Sequence, residues 1–383
     1  MSNNYNVFEL MDEFGPEKIF AVSDPKTGMK GVLVIDNTAR GPGKGGCRMS
    51  FNLDVHEVTR LARAMTWKWA MVDFSFGGAK AGIFADPNSP NKEEIIRSFI
   101  RALDKYIPSE YVFGLDMGLD ESDAAIVVDE KDDLAASMGT PSELGGVPYD
   151  QLGATGYGCF QSAKIAVDRE NKKLEDMTVV IQGFGAVGKH AAKFLYDAGA
   201  NILAVSQING IIYDKSGLNI DELLEKYEQK GDNLFEQEGT KELNLGDELY
   251  IDTDILVLAA TQDVIDKTNV DKVKADIIVE GANLPTSAEA ENILYTRGAI
   301  VVPDFVANAG GIIAAGVGMD ARHSCMKPDP QQVYCLIETK IAENVSLTLD
   351  QAQAKNIRPK EAAEEIAKER VIRAMQLRGN KNI

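Results

Sequence analysis

At 383 residues the chain exceeds the size at which a single hydrophobic core usually stops growing, so two domains are expected. With 44% hydrophobic and 26% charged residues its composition is that of an ordinary globular chain with no long disordered tract. A net charge of −19 argues against a nucleic-acid-binding surface, which needs clustered Lys and Arg to neutralise phosphates.

The first 145 residues read as mixed α and β. A short helix is followed by two strand-like runs, KIFAVSD and KGVLVIDN, joined as a hairpin by DPKTG. The stretch ARGPGKGGCRM reads as a loop. A helix then opens at Asp54, with Glu57 three positions on as in a capping box, and carries an apolar stripe of Val58, Leu61, Met65, Trp69 and Val72. Lys68 falls on or beside that stripe. The glycine-rich FGGAKAG comes next, then a strand beginning GIF, an amphipathic helix from Asn91 with Ile95, Ile96, Phe99, Ile100 and Leu103, and the strand YVFGL closed by Asp116. The loop MGTPSELGGVPYDQLG marks a domain boundary near residue 145.

Beyond it the texture changes. TVVIQ, GFGAVG, an alanine-rich helix stopped by Gly199, and NILAVS follow one another, and the short apolar runs ILVLAA, IIVE and AIVVP alternate with helical stretches. Such runs suit parallel strands buried on both faces, so residues 150–340 are expected to form a second domain built on a parallel sheet. The chain from Pro330 to Leu377 reads as helical, and its last part, 345–383, is expected to pack back on the first domain. The fold class is α/β.

Cys47, Cys159, Cys325 and Cys335 are widely spaced and form no CxxC pair, which suggests buried free thiols in a reducing compartment. His56, His190 and His323 lie far apart without ligand-like spacing, so no metal site is expected and each reads as a surface residue. The N-terminus lacks the basic and apolar stretches of a secretory signal, and the weakly polar run from Phe305 to Met319 is too short to cross a bilayer. A cytoplasmic protein without membrane or nucleic-acid partners is expected.

Two sets of residues carry chemistry. Gly183, Gly185 and Gly188 stand between a predicted strand and a predicted helix, where glycines permit a tight turn and close backbone approach to a pyrophosphate. A glycine-rich turn without a ligand is the alternative. The next strand ends in Ser206 and Gln207 instead of an acid, and these can donate to a phosphate, so NADP is expected to be accepted, alongside NAD. In the first half, Lys44, Lys68, Lys80 and Asp116 sit at strand ends, on a helix face or in glycine-rich loops. Converging ammonium groups would depress the pKa of at least one and bind a carboxylate, although each could also be a solvated surface charge.

GPGKGGCRM, MTWKWA, FGGAKAG, GLDMG, ATGYG, GFGAVG, EGANLPT and VANAGG occur in the order and spacing of the glutamate, leucine, phenylalanine and valine dehydrogenases, which this chain resembles over nearly its whole length. The resemblance implies an N-terminal substrate-binding and oligomerisation domain (1–145), a Rossmann domain, and a cleft between them that closes on hydride transfer. It makes Lys80 the catalytic lysine that activates the water attacking the imine carbon, neutral among neighbouring positive charges, and Asp116 the proton shuttle to the substrate amine. Lys68 would pair with the α-carboxylate and Lys44 would lie near the side chain, with Met65, Gly46 and Ala315 also at the substrate. Gly183, Phe184, Gly185, Ala186, Val187, Gly188, Ser206, Gln207, Ala260, Thr261, Asn283 and Asn308 would meet the cofactor.

KGG around Lys44 and EGANLPT resemble the glutamate branch, whereas LDMGLDESDAAIVVDE resembles the leucine and phenylalanine branch. Leu119 stands where the family commonly has threonine, and Ala315 where the glutamate branch usually has serine. The reading is a homo-oligomeric NAD(P)-dependent L-amino-acid dehydrogenase preferring glutamate. A leucine, valine or phenylalanine dehydrogenase is the alternative within the family, and a non-catalytic dinucleotide sensor or scaffold the alternative outside it.

Overall fold

The computed structural model describes residues 6–324 and 328–380; Cys325 lies outside the described residues, and the side chain of His323 is not among those described. The chain divides into two compact units: Met1–Pro148 with Ala314–Asp329 and Glu365–Ile383, and Tyr149–Ile313 with Pro330–Glu364.

In the first unit the DPKTG hairpin joins β1 (Lys18–Asp24) to β2 (Met29–Asn37), with Asp24 opposite Met29. The supposed loop after it is a strand, β3 (Gly43–Met49). Helix α1 (Val55–Met71) starts at Asp54, whose side chain accepts a 2.7 Å hydrogen bond from the Glu57 N–H. FGGAKAG is likewise no turn: β4 (Gly77–Ile83) begins inside it, ahead of the expected GIF. Then come α2 (Lys92–Ala102), β5 (Tyr111–Leu115) and α3 (Glu121–Lys131). The sheet order is β1-β2-β4-β3-β5, with β3 parallel to both of its neighbours.

Glycine has low strand propensity, and that misled the reading of β3 and β4. Close packing explains the glycines. A Cβ on Gly78 would lie 2.1 Å from Thr66 Oγ1 and 2.2 Å from Thr66 N of α1, and one on Gly45 would lie 1.7 Å from the Ala79 carbonyl oxygen. Pairing on both sides outweighs local propensity.

The two faces of this sheet differ. Leu33, Ile35, Cys47, Ala79, Ala81 and Ile83 pack with Ile96, Phe99 and Ile100 of α2 and Val127 of α3 in the main core. Val32 and Val34 point the other way, against Val58 and Ala62 of α1. The buried side of α1 runs through Val58, Ala62, Thr66 and Trp69, while Leu61, Met65 and Lys68 form a half-buried stripe beside it.

The second unit holds α4 (Ala154–Arg169), β6 (Thr178–Gln182), α5 (Ala186–Asp197), β7 (Asn201–Gln207), β8 (Gly210–Tyr213), α6 (Ile220–Lys230), α7 (Asn233–Glu238), β9 (Ile255–Leu258), β10 (Ile277–Glu280), α8 (Ala288–Arg297), β11 (Ile300–Val302) and α9 (Asp304–Ala307). Its sheet order is β11-β10-β9-β6-β7-β8, parallel except for the short β8, which was not anticipated. The three-helix tail, α10 (Gly310–Ser324), α11 (Pro330–Lys355) and α12 (Pro359–Leu377), is divided between the units. In the first unit α12 is tied to the C-terminal end of α1, where Arg370 Nη1 donates to the carbonyls of Ala70 (2.9 Å) and Met71 (2.6 Å).

Two smaller expectations need correction. Cys47 and Cys159 are buried but Cys335 is exposed. His190 is half-buried and not a surface residue, because Gly153 leaves room for its ring: a Cβ there would lie 2.3 Å from His190 Cγ.

Candidate active site

The period of two along a strand organises the first unit's chemistry. Lys44 on β3 lies opposite Gly78 on β4, and Lys80 is two positions further along on the same face. Gly46 pairs with Gly114 of β5, and Asp116 follows two residues later. Glycines at 46, 78 and 114 clear the surface between the charged side chains. A Cβ on Gly46 would sit only 2.8 Å from Asp116 Cβ. The lysine of FGGAKAG therefore projects from mid-strand onto the face that α1 covers, between glycines that keep the sheet bare around it.

Lys80 and Asp116 form a direct ion pair, with side-chain exposures of 9% and 16%. Asp116 Oδ1 also accepts from the Met117 N–H at 2.6 Å and lies 3.5 Å from Arg48 Nη2. Burial pushes the Asp116 pKa up, but the Lys80 charge and hydrogen bond, the Met117 N–H and Arg48 outweigh it, and the carboxyl lies below the usual carboxylate range. Asp116 is thus an anion at neutral pH. The sequence suggested positive neighbours for Lys80; its immediate partner is this carboxylate. Arg48, which also pairs with Glu57 at 2.5 Å, was missed. It follows Lys44 and Gly46 in strand alternation, a signal lost while the segment was read as a loop.

Lys44 is fully buried, its Nζ 3.1 Å from the Phe76 ring centroid and 5.9 Å from that of Trp69. Trp69 Nε1 donates to the Lys44 carbonyl at 3.1 Å, which fixes the indole against the strand. Cation–π contact of this kind is favourable by about 2 kcal/mol or more when desolvated. Met65 reaches the same region, 3.2 Å through its Cγ from a Cβ placed on Gly45. Ala315 is buried, and Leu119 packs against the core on the sheet's other face.

In the second unit β6 leads into Gly183, whose φ of +92° suits glycine, and α5 begins after Gly185. The three glycines do different work. Gly183 lies against the chain at Ala259 and Ala260 after β9, and Gly188 against the Gly183 carbonyl, where a Cβ would come within 1.7 Å. At Gly185 a Cβ would meet nothing within 4 Å, and no side chain caps α5. Open space over uncapped helical N–H groups, where the strand order reverses between β6 and β9, fits the pyrophosphate of a dinucleotide. Ala260 and Thr261 are exposed there, and the Ala260 N–H donates to Gln182 Oε1 at 3.3 Å. Val187 lies near Gly281. Asn308 Nδ2 donates to Asn283 Oδ1 (3.2 Å) and to the Gly281 carbonyl (3.4 Å), which brings both asparagines to the ends of β10 and α9.

Two groups beyond the sequence reading surround these residues. Ser206 Oγ, buried, donates to Glu248 Oε1 (2.9 Å), and Gln207 Nε2 donates to Asp232 Oδ1 (3.1 Å). Under the Asn283 loop, Glu280 Oε2 accepts from the Asp304 N–H (3.0 Å), and Asp304 Oδ2 accepts from the N–H of Leu284 (2.9 Å), a residue held at φ +50°. Among the described residues no three His, Cys, Asp or Glu side chains are grouped to hold a metal.

A dinucleotide-type sheet in one unit and a buried lysine–carboxylate pair in the other fit a nicotinamide-dependent oxidoreductase acting on a CH–NH2 group. Family models agree: "Glutamate/Leucine/Phenylalanine/Valine dehydrogenase" matches residues 145–379, and "Glu/Leu/Phe/Val dehydrogenase, dimerisation domain" matches residues 16–133. The chain belongs to the glutamate/leucine/phenylalanine/valine dehydrogenase family. It is 37% identical over 361 residues to a glutamate dehydrogenase of Aeropyrum pernix, covering 90% of this chain and 85% of that one. It is 34% identical over 383 residues to the NADP-specific glutamate dehydrogenase of Saccharolobus shibatae (95% and 90% covered). With the NAD-specific glutamate dehydrogenase of Staphylococcus aureus it shares 38% over 289 residues (72% and 68% covered). Among solved structures, the Leu-bound hetero-hexameric glutamate dehydrogenase from Thermus thermophilus is similar at a TM-score of 0.84 and 30% identity, covering 95% of this chain and 90% of that one.

Proposed function

We propose that the chain catalyses the reversible oxidative deamination of L-glutamate to a 2-oxo acid and ammonium. The observation that carries this reading is the Lys80–Asp116 pair on a sheet face cleared by glycines. A nicotinamide coenzyme held at the Gly183–Gly188 loop would supply the hydride exchange at the substrate Cα. Lys80 first passes a proton across the ion pair to Asp116; the neutral amine then takes the proton of the water that attacks the iminium carbon. The protonated Asp116 returns its proton to the departing nitrogen, so that the C–N bond breaks, the hydroxyl proton leaves with the nitrogen as ammonium and the ion pair is restored. Arg48 and the Met117 N–H keep the Asp116 carboxylate aimed while its proton load changes. Lys68 holds the α-carboxylate, Lys44 the distal carboxylate, and Met65, Gly46 and Ala315 line the substrate. Gly183, Phe184, Gly185, Ala186, Val187, Gly188, Ser206, Gln207, Ala260, Thr261, Asn283 and Asn308 hold the dinucleotide.

Glutamate is preferred because Lys44 contributes a buried positive charge on the same face and because the relatives above carry that name. A branched-chain or aromatic substrate is the second reading, favoured by the position of Lys44 Nζ over the Phe76 ring and by the absence of a hydroxyl at Ala315. Homo-oligomer formation through the N-terminal region, supported by the match to a family dimerisation domain, and a cytoplasmic location belong to the same proposal. Following nicotinamide absorbance with a panel of amino acids tests it. Glutamate is expected to give the highest kcat/KM, and faster turnover of leucine, valine or phenylalanine would install the second reading.

A further inference from the structure

The end of β7 is the place where a dinucleotide-binding sheet usually meets the adenosine ribose, and an acid there selects a free 2′-hydroxyl over a 2′-phosphate. The strand itself offers only Ser206 and Gln207. Both of their donors face carboxylates. Ser206 Oγ accepts from the Gly183 N–H (3.3 Å) and donates to the buried Glu248, whose other oxygen accepts from the Gly246 N–H at 2.7 Å. Gln207 Nε2 donates to Asp232 Oδ1.

Asp232 lies 25 positions beyond Gln207 in the chain, at the corner between α6 and α7. Although it directly precedes α7, its side chain makes no capping hydrogen bond to that helix. It turns instead towards β7, where Oδ1 accepts from both Gln207 Nε2 and the Tyr227 hydroxyl (2.8 Å). Its Oδ2 accepts no hydrogen bond among the described residues. The corner is anchored to the glycine loop by Phe184, whose ring centroid lies 5.4 Å from that of Tyr227 and 5.8 Å from that of Phe235. The nearby cations of α6 are engaged elsewhere: Lys226 pairs with Glu222 and Glu238, and Lys230 with Glu238.

We propose that Asp232 is the specificity-determining acid of the dinucleotide site, supplied from the α6–α7 corner in place of the missing acid on β7. The proposal rests on the reading of the Gly183–Gly188 loop as that site. Its exposed carboxylate offers Oδ2 to a ribose hydroxyl and repels a 2′-phosphate. Two charges a few ångströms apart in water-exposed surroundings change affinity by roughly fivefold per unit charge, so the discrimination against a phosphate bearing more than one charge is on the order of tenfold. NADP is still bound, but NAD is bound more tightly. Because the carboxylate is exposed, raising the salt concentration narrows the gap.

The test is calorimetric titration of NADH, NADPH, 5′-AMP and 2′,5′-ADP into the full chain and into Asp232→Asn and Asp232→Ser, with thermal melts to establish that the variants fold. The unsubstituted chain is expected to bind NADH over NADPH, and 5′-AMP over 2′,5′-ADP, by about tenfold at low salt. Both variants should bring the two ratios close to one, chiefly by tightening the phosphorylated ligand. Unchanged ratios in two folded variants, or tighter binding of NADPH by the unsubstituted chain, would overturn the role of Asp232. If none of the four ligands bound the unsubstituted chain, the dinucleotide reading of the glycine loop would itself fall.

Discussion

Each unit buries a carboxyl group beside its candidate chemistry, and the two are handled in opposite ways. Asp116 faces Lys80 and Arg48 across an opening that leaves its side chain 16% exposed, and it lies below the usual carboxylate range. Glu280, at the end of β10, has no exposure at all and is pushed up to about 8, first by burial and then by the neighbouring Asp304. Glu280 therefore holds its proton at neutral pH. Cations also reach the second cluster: Lys360 Nζ donates to Glu291 at 2.6 Å, and Arg358 Nη1 lies 3.4 Å from Glu291. Yet those cations pair with Glu291, and the charge of Lys360 acts on Glu280 only in part. The contrast teaches that burial alone does not assign a role. An anion with a mobile proton nearby is equipped for acid–base work, while a neutral acid in a sealed pocket is equipped to hold backbone in place.

The sharpest way to break this contrast is to remove either member of the Lys80–Asp116 pair. Lys80→Ala and Asp116→Asn are each expected to lower kcat by about 10²- to 10⁴-fold, the usual contribution of a general acid–base group. Coenzyme affinity should hardly change, because both residues belong to the first unit's sheet and the glycine loop to the second. Near-parental kcat at saturating substrate in either variant would remove the catalytic assignment, and a matching loss of NADH affinity by calorimetry would make the pair structural.

A smaller effect is expected at Lys44, which shares the face of Lys80. A charge-assisted contact with a distal carboxylate is worth about 1.5–3 kcal/mol, or roughly ten- to hundredfold in discrimination. Lys44→Leu should lower kcat/KM for glutamate by that factor while sparing or raising the value for leucine, since no buried ammonium then opposes an apolar side chain. A variant that loses both substrates equally would show that the lysine serves the Phe76 and Trp69 packing instead of specificity.

How much of this was legible beforehand varies with the physics of each element. The parallel sheet of the second unit announced itself through apolar runs, because strands buried on both faces have little choice of residue. Lys80 and Asp116 stood out through their surroundings of glycine. The strands that carry Lys44 and Lys80 did not, because glycine suppresses the strand signal and the need for it lies in α1, which is distant in sequence. Without the strand there was no alternation to place Arg48 beside Asp116. Asp232 was invisible for another reason: it is one acid in a strongly acidic chain, and only the fold of α6 and α7 brings it to Gln207. Glu280 closes the run IIVE, where an acid after three apolar residues reads as a strand end and gives no hint of complete burial.

Glu280 also supplies the gentlest probe of the comparison, through pH. Its folded pKa of about 8 lies above the ordinary value of 4.5, so between these limits the native state binds the extra proton. Stability from this group is complete below pH 4.5 and is lost as pH rises through 8. The groups that face it are Asp304, Glu291, Lys360 and Thr286, and the first two oppose its ionisation while Lys360 favours it. Glu280→Gln keeps the shape of the protonated acid and an oxygen to accept from the Asp304 N–H, but cannot ionise. The variant should therefore melt close to the unsubstituted chain at pH 5 and increasingly above it towards pH 9, because the unsubstituted chain loses about 1.4 kcal/mol per pH unit between the two pKa values. Asp116→Asn should move the other way, because a carboxyl held below its ordinary range stabilises the fold above that range and loses the effect only in acid. Parallel melting curves for Glu280→Gln and the unsubstituted chain from pH 5 to pH 9 would mean that Glu280 is already ionised in the native protein, and the two buried carboxyls would then differ in exposure alone.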